Sequence, residues 1–237
     1  MGSLHSNGPL ARQLQSHSNY PPLDLRTEES LQQWRASQDS QKDSAFREAR
    51  KLLCMCKQGN AFHPTNEFID SHLRNFQNLE YLRLQSGTIP SHLFETGFKP
   101  TLRSLELHFC PISFPELVKV LNHFCGLAHL ILDNVVTLMD KAPVPQLLHY
   151  PKELSLTGTG HGVLSELSKM HLRYKRLSLD ISQDYNTAQR FIESSKERLT
   201  SLDLGDTMRS TCRNNPTICP KITDWNPWFC FRFGEIP

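Results

Sequence analysis

Leucines recur along this chain in pairs two residues apart, each pair preceded three residues upstream by another apolar position, with mostly polar residues between them. The fullest statement is residues 101–132, TLRSLELHFCPISFPELVKVLNHFCGLAHLIL. Leu102, Leu105 and Leu107 stand there at the spacing LxxLxL, an amphipathic run follows, and Leu127, Leu130 and Leu132 return at the same spacing. Alternation with a two-residue period places Leu105 and Leu107 on one face of a short strand. The run between the triplets has helical periodicity and can cover that face from behind.

Four more copies follow the same rule. They are Leu79, Leu82 and Leu84; Leu154 and Leu156; Leu177 and Leu179; and Leu199, Leu202 and Leu204. With Pro151 and Tyr174 in the first slot of the fourth and fifth copies, the slots fall at 79, 102, 127, 151, 174 and 199, at intervals of 23, 25, 24, 23 and 25. This is the pattern of a leucine-rich repeat, whose units run to roughly 20–29 residues and need about three copies to form a stable stack. The expected fold is therefore α/β: a leucine-rich-repeat solenoid of about six repeats, with a curved parallel sheet on its concave side and helices on its convex side.

The links between copies carry their own signals. Ser113 with Glu116, ahead of Leu117, Val120 and Leu121, has capping-box spacing, and Asn186 with Gln189 repeats a weaker form before Phe191 and Ile192. Val163, Leu164, Leu167 and Met170 predict a helix over residues 162–172. Pro90 and Gly97 in one link, and Pro143 and Pro145 in another, predict irregular or single-turn segments over residues 89–98 and 139–150. Cys110, three residues after its leucine pair, occupies a slot where this repeat class accepts Asn or Cys as an inward-turning residue.

Outside the copies the pattern changes. Residues 1–26, rich in Ser, Asn, Gln, His and Pro, are expected to be a disordered tail. Residues 27–76 are expected to form a helical N-terminal cap, with a helix over residues 45–57 capped by Asp43 or Ser44 and another over residues 64–76 carrying Phe68, Ile69, Leu73 and Phe76. The repeats occupy residues 77–205. Residues 206–237, with Trp225, Trp228 and three phenylalanines, are either a C-terminal cap over the last repeat or an irregular tail.

Composition narrows the partner. The formal net charge is +2, and no run of about 18 apolar residues is present, so no membrane span is expected. The first residues lack an apolar signal region, although MGSLHS matches the short and chance-prone myristoylation pattern. Seven cysteines, an odd number without an export signal, predict reduced thiols and a cytoplasmic or nuclear location.

Residues flanking the inner leucines should point to solvent on the concave face. They are Tyr81, Arg83 and Gln85; Ser104, Glu106 and His108; His129, Ile131 and Asp133; Glu153, Ser155 and Thr157; Arg176, Ser178 and Asp180; and Ser201 and Asp203. Five are carboxylates and two are arginines, which disfavours nucleic acid and favours a protein with a basic patch. The doubled His-Phe-Cys at residues 108–110 and 123–125 could suggest zinc, but the repeat phase turns His108 and Cys110 to opposite sides and puts His123 and Cys125 at the far end of a helix. Cys54 and Cys56, one residue apart, lack zinc-pair spacing. No GxSxG, GxxxxGK or HExxH motif occurs, and GTGHG at residues 158–162 reads as a turn. The expectation is a non-enzymatic binding module with no cofactor and no metal.

LRSLELHFCPISFPELVKVL, GLAHLILDNV and the spacing of about 24 residues resemble the leucine-rich-repeat portion of F-box-like proteins of mushroom-forming fungi, over roughly residues 64–205. That resemblance implies a substrate-recognition arm of a ubiquitin ligase, tethered through a Skp1-type adaptor held by an F-box. The first 60 residues show no F-box pattern of the kind LPxELLxxIL. A stand-alone scaffold, or a truncated relative with no ligase role, is the alternative.

Overall fold

The structure, a computed structural model, describes residues 22–55, 72–86, 101–138, 143–158, 161–169, 174–180, 185–195, 198–205 and 230–231. It is an α/β arrangement built on one parallel sheet. Its strands are β1 (Leu23–Leu25), β2 (Lys51–Met55), β3 (Tyr81–Gln85), β4 (Ser104–His108), β6 (His129–Asp133), β8 (Glu153–Thr157), β9 (Arg176–Asp180), β10 (Ser201–Leu204) and β11 (Cys230–Phe231), in that order across the sheet. Two further strands, β5 (Pro111–Ser113) and β7 (Val136–Leu138), pair in parallel as a separate two-stranded sheet.

Register brings the leucines together in two ladders. One runs Leu52, Leu82, Leu105, Leu130, Leu154, Leu177 and Leu202, and the other Cys54, Leu84, Leu107, Leu132, Leu156, Leu179 and Leu204. Every member except Leu204, which is partly buried, is fully buried. The first slots are filled as the spacing predicts, with Leu79, Leu102, Leu127, Pro151, Tyr174 and Leu199 all buried.

Helices close this side of the sheet. In α3 (Phe114–His123) the capping box forms as expected, with the Glu116 amide donating to Ser113 Oγ and the Ser113 amide donating to Glu116 Oε2. Its apolar stripe, Leu117, Val118, Val120 and Leu121, enters the same core as the leucine ladders. The helices α4 (His161–Lys169) and α5 (Tyr185–Ser195) add Val163, Leu164, Leu167, Ala188, Phe191 and Ile192. Residues 143–150 form no regular element, as their prolines predict, and residues 139–142 and 89–98 lie outside the described residues.

The main-sheet strands β3, β4, β6 and β8 end alike. Ser86, Phe109, Asn134 and Gly158 take φ of 61°, 51°, 50° and 54°, and each donates its amide to the last residue of the next strand: to His108, Asp133, Thr157 and Asp180. This left-handed step redirects the chain, which is why Cys110, two residues after His108, is buried on the leucine side with its thiol on the carbonyls of Leu84 and His108. Of the turn expected at GTGHG only Gly158 follows the strand; residues 159–160 lie outside the described residues, and His161 and Gly162 open α4. A Cβ on Gly158 would lie 2.4 Å from Asn134 Oδ1, so glycine answers both the φ and the close approach.

The N-terminal third departs from expectation. Leu23–Leu25 is a parallel strand where a disordered tail was expected; residues 1–21 lie outside the described residues. The expected helix over residues 45–57 is instead the end of α2 (Asp39–Glu48) followed by strand β2. α1 (Glu28–Ala36), capped by Thr27 Oγ1 accepting from the Ser30 amide, buries Leu31 and Trp34 in the common core. The physical reason is alternation. Leu23-Asp24-Leu25 and Leu52-Leu53-Cys54 place an apolar residue at every second position, and pairing of β1 with β2 and of β2 with β3 outweighs the polar composition around them. Of the helix expected over residues 64–76 only the end is described, as a 3-10 turn at Leu73–Asn75. At the other end Cys230–Phe231 adds a short parallel strand to β10, and the rest of the expected C-terminal tail lies outside the described residues.

Candidate binding face

The sheet's other face is polar, and register sorts its side chains into three rows. The first is Lys51, Tyr81, Ser104, His129, Glu153, Arg176 and Ser201; the second Asp24, Leu53, Arg83, Glu106, Ile131, Ser155, Ser178 and Asp203; the third Gln85, His108, Asp133, Thr157 and Asp180. All the residues expected on the recognition surface therefore lie on one face. At about 4.8 Å between strands, the eight-strand second row spans about 34 Å.

The face is not uniformly open. Tyr81, Ser104, Glu106, His108 and Ile131, expected to point to solvent, are buried, Glu106 with 1% of its surface exposed and His108 with 6%. For Tyr81, Glu106 and His108 the reason lies in their contacts. Long polar side chains on neighbouring strands lean together and bond each other in place of water. Tyr81 Oη donates to Glu106 Oε2, and Glu106 Oε1 meets His108 Nε2. His108 Nδ1 lies 2.7 Å from Asp133 Oδ2, whose other oxygen accepts from Asn134 Nδ2 at 2.8 Å. Arg83 Nη1 stands 3.7 Å from Glu106 Oε1.

Burial alone would lower the pKa of His108, but its bonds to Asp133 and Glu106 outweigh that and hold it above the ordinary histidine value. Burial, reinforced by repulsion from Arg26, pushes Arg83 down. Arg26 grips Asp24 through Nε at 2.9 Å and Nη2 at 2.6 Å, which holds the Asp24 carboxyl below its ordinary value. Buried ions are stabilised only when so paired and hydrogen-bonded. Three buried polar atoms of the face, Ser104 Oγ, Arg83 Nε and His129 Nδ1, make no hydrogen bond of good geometry, the last standing only in an ion-pair contact with Glu153. Leaving such a group unsatisfied costs about 1–3 kcal/mol.

From β8 onward the face is more accessible. Glu153 Oε1 lies 3.2 Å from Arg176 Nη1, and Oε2 lies 3.0 Å from His129 Nδ1. Burial would raise the Glu153 pKa, but the close approach of His129 and the charges of His129 and Arg176 lower it overall. Beside this pair, Ser155 and Ser178 form a small-residue floor, with Thr157, Asp180 and Asp203 along its border, all half-buried.

Asp24, Arg26 and Lys51 belong to this face and were not anticipated. Their signal was the alternation in LDL and LLC, masked by a longer interval: Leu25 to Cys54 is 29 residues and Cys54 to Leu84 is 30, against 23–25 later. The two His-Phe-Cys segments are not brought together: His108 is on the polar face, Cys110 in the core, and His123 at the end of α3 with Cys125 in the turn beyond. Among the described residues no helix is long and apolar enough to cross a membrane. Compared with models of known protein families and with curated proteins, the chain has no match.

Proposed function

We propose that the chain is a leucine-rich-repeat solenoid of about six repeats of 23–25 residues, extended at its N-terminal end by β1 and β2, and that it binds another protein on its polar sheet face. What carries the reading is the continuous polar face itself: in-register strands presenting three rows of mostly polar side chains, the longest about 34 Å, a size suited to a macromolecular partner. The recurrent left-handed step at residues 86, 109, 134 and 158 keeps the same interval as the leucine slots and supports the repeat. The buried group from Tyr81 to Asp133 stiffens β3, β4 and β6, while the more accessible strands β8–β10 supply the contact surface through Glu153, Thr157, Arg176, Asp180 and Asp203. In this reading the chain has no catalytic role and needs no cofactor, and it works in the cytoplasm or nucleus.

The resemblance to fungal F-box-like proteins extends the proposal to a ubiquitin-ligase recognition arm, with residues 28–76 as the place of adaptor contact. Affinity purification of the tagged chain from its own cells, with mass spectrometry, tests both levels. Recovery of a Skp1-type adaptor and a cullin supports the ligase arm, recovery of other proteins without them supports a stand-alone scaffold, and recovery of no specific protein contradicts the binding role.

A further inference from the structure

His108 lies between two carboxylates, and both of its ring nitrogens are used. Nε2 faces Glu106 on the same strand and Nδ1 faces Asp133 on β6. A neutral imidazole has one N–H and one lone pair, so it can serve only one of these acceptors; serving both requires the imidazolium. We infer that His108 is a proton-operated clasp that ties β4 to β6 across the polar face and releases the Asp133 carboxylate when the ring loses its proton to water.

The direction of release follows from burial. Glu106 is 1% exposed and also holds Tyr81, so stripping its partner leaves a buried carboxylate unpaired, the costlier choice. Asp133, with 23% of its side chain exposed and Asn134 still donating to it, can be rehydrated at less cost. The surviving N–H therefore stays on Glu106. The Nδ1 lone pair then faces Asp133 Oδ2 at 2.7 Å, a repulsive arrangement that opens the β4–β6 side-chain link. The charged and titratable groups around the ring, among the described residues, are Glu106 on its own strand, Tyr81 and Arg83 on β3, and Asp133 on β6, with Asp24 and Arg26 beyond Arg83. Arg83 opposes the imidazolium and the two carboxylates favour it.

In stability, a group whose pKa is raised by folding contributes fully below its unfolded value of 6.5, and the contribution fades as pH rises through the higher folded value. The clasp is thus closed in mildly acidic solution and opens on the alkaline side. As it opens, the imidazolium's positive charge is lost and the Asp133 carboxylate, ionised throughout, is left without its neutralising partner on the accessible face. The inference stands on the cluster's geometry and does not depend on the binding role.

Nitrogen-15 and proton NMR of the histidine rings in the full-length chain tests it, with the His108 signals assigned by their loss in His108→Gln. The expected result is that both ring nitrogens carry a proton at pH 6, that the midpoint lies above 6.5, and that the Asp133 carboxyl carbon shifts in step with the ring. Asp133→Asn should lower the midpoint by about one pH unit, a tenfold loss of proton affinity. A ring carrying one proton at pH 6, or a wild-type midpoint at or below 6.5, would overturn the clasp without reference to any variant. A folded Asp133→Asn protein with an unchanged midpoint would overturn the part assigned to Asp133.

Discussion

Leu105→Ala should destabilise the protein by about 2–5 kcal/mol. Leu105 is wholly buried, and its register neighbours in the ladder are Leu82 and Leu130, so no exposed edge is available for water to enter. Truncation removes three carbons, which at about 0.8 kcal/mol each accounts for about 2.4 kcal/mol of transfer free energy. The remainder is the cavity left between two leucines whose backbones are fixed by the parallel ladder, leaving little room for collapse. Leu148→Ala is the internal comparison. Leu148 is 62% exposed, and the bond from its amide to Asn122 Oδ1 survives the change, so the cost should stay within about 0.5 kcal/mol. Urea unfolding followed by far-UV circular dichroism measures both. A loss below about 1 kcal/mol for Leu105→Ala, or equal losses for the two variants, would refute the leucine ladder as the source of stability.

Three further outcomes follow from the same contacts. Ser113→Ala removes the hydroxyl that caps α3 and should cost about 0.5–2 kcal/mol in the same unfolding experiment, with Ser113→Asp largely restoring it. Gly158→Ala forces an L side chain into φ of 54° against Asn134 and should cost at least the roughly 1–2 kcal/mol of a left-handed non-glycine residue, read as a lower urea midpoint. Because folding lowers the Glu153 pKa, its contribution is present above 4.5 and is lost as pH falls through the lower folded value; Glu153→Gln should flatten that part of the acid-unfolding profile, and an unchanged profile would show that His129 and Arg176 do not hold the carboxylate.

The parallel sheet was legible because its cause is local and periodic. Leu105 and Leu107 alternate by two, their counterparts recur every 23–25 residues, and a shift of register by one would turn every leucine to water. The cap of α3 was legible for the same reason, since Ser113 and Glu116 are three residues apart. The strands at Leu23 and Lys51 were not, because each has only a few alternating positions and depends on a neighbouring strand for its conformation, β1 on β2 and β2 on β3. The polar rows were readable as a list of positions, but not the burial of Glu106 and His108. That burial comes from side chains meeting across strands 23 to 25 residues apart, namely Tyr81 to Glu106 and His108 to Asp133. The left-handed conformations at Ser86 and Phe109 also had no local marker, since neither residue is glycine or asparagine.

Binding at the polar face is the central claim, and a titration with the partner recovered by affinity purification tests it most directly. Isothermal calorimetry would compare the wild-type chain with Ser155→Arg/Ser178→Arg, which fills the small-residue floor between β8 and β9, and with Lys119→Glu on the exposed side of α3. The account predicts at least a tenfold loss of affinity for the double variant and wild-type affinity for Lys119→Glu, with both folded by circular dichroism. Unchanged affinity in the folded double variant, or a loss confined to Lys119→Glu, would contradict it.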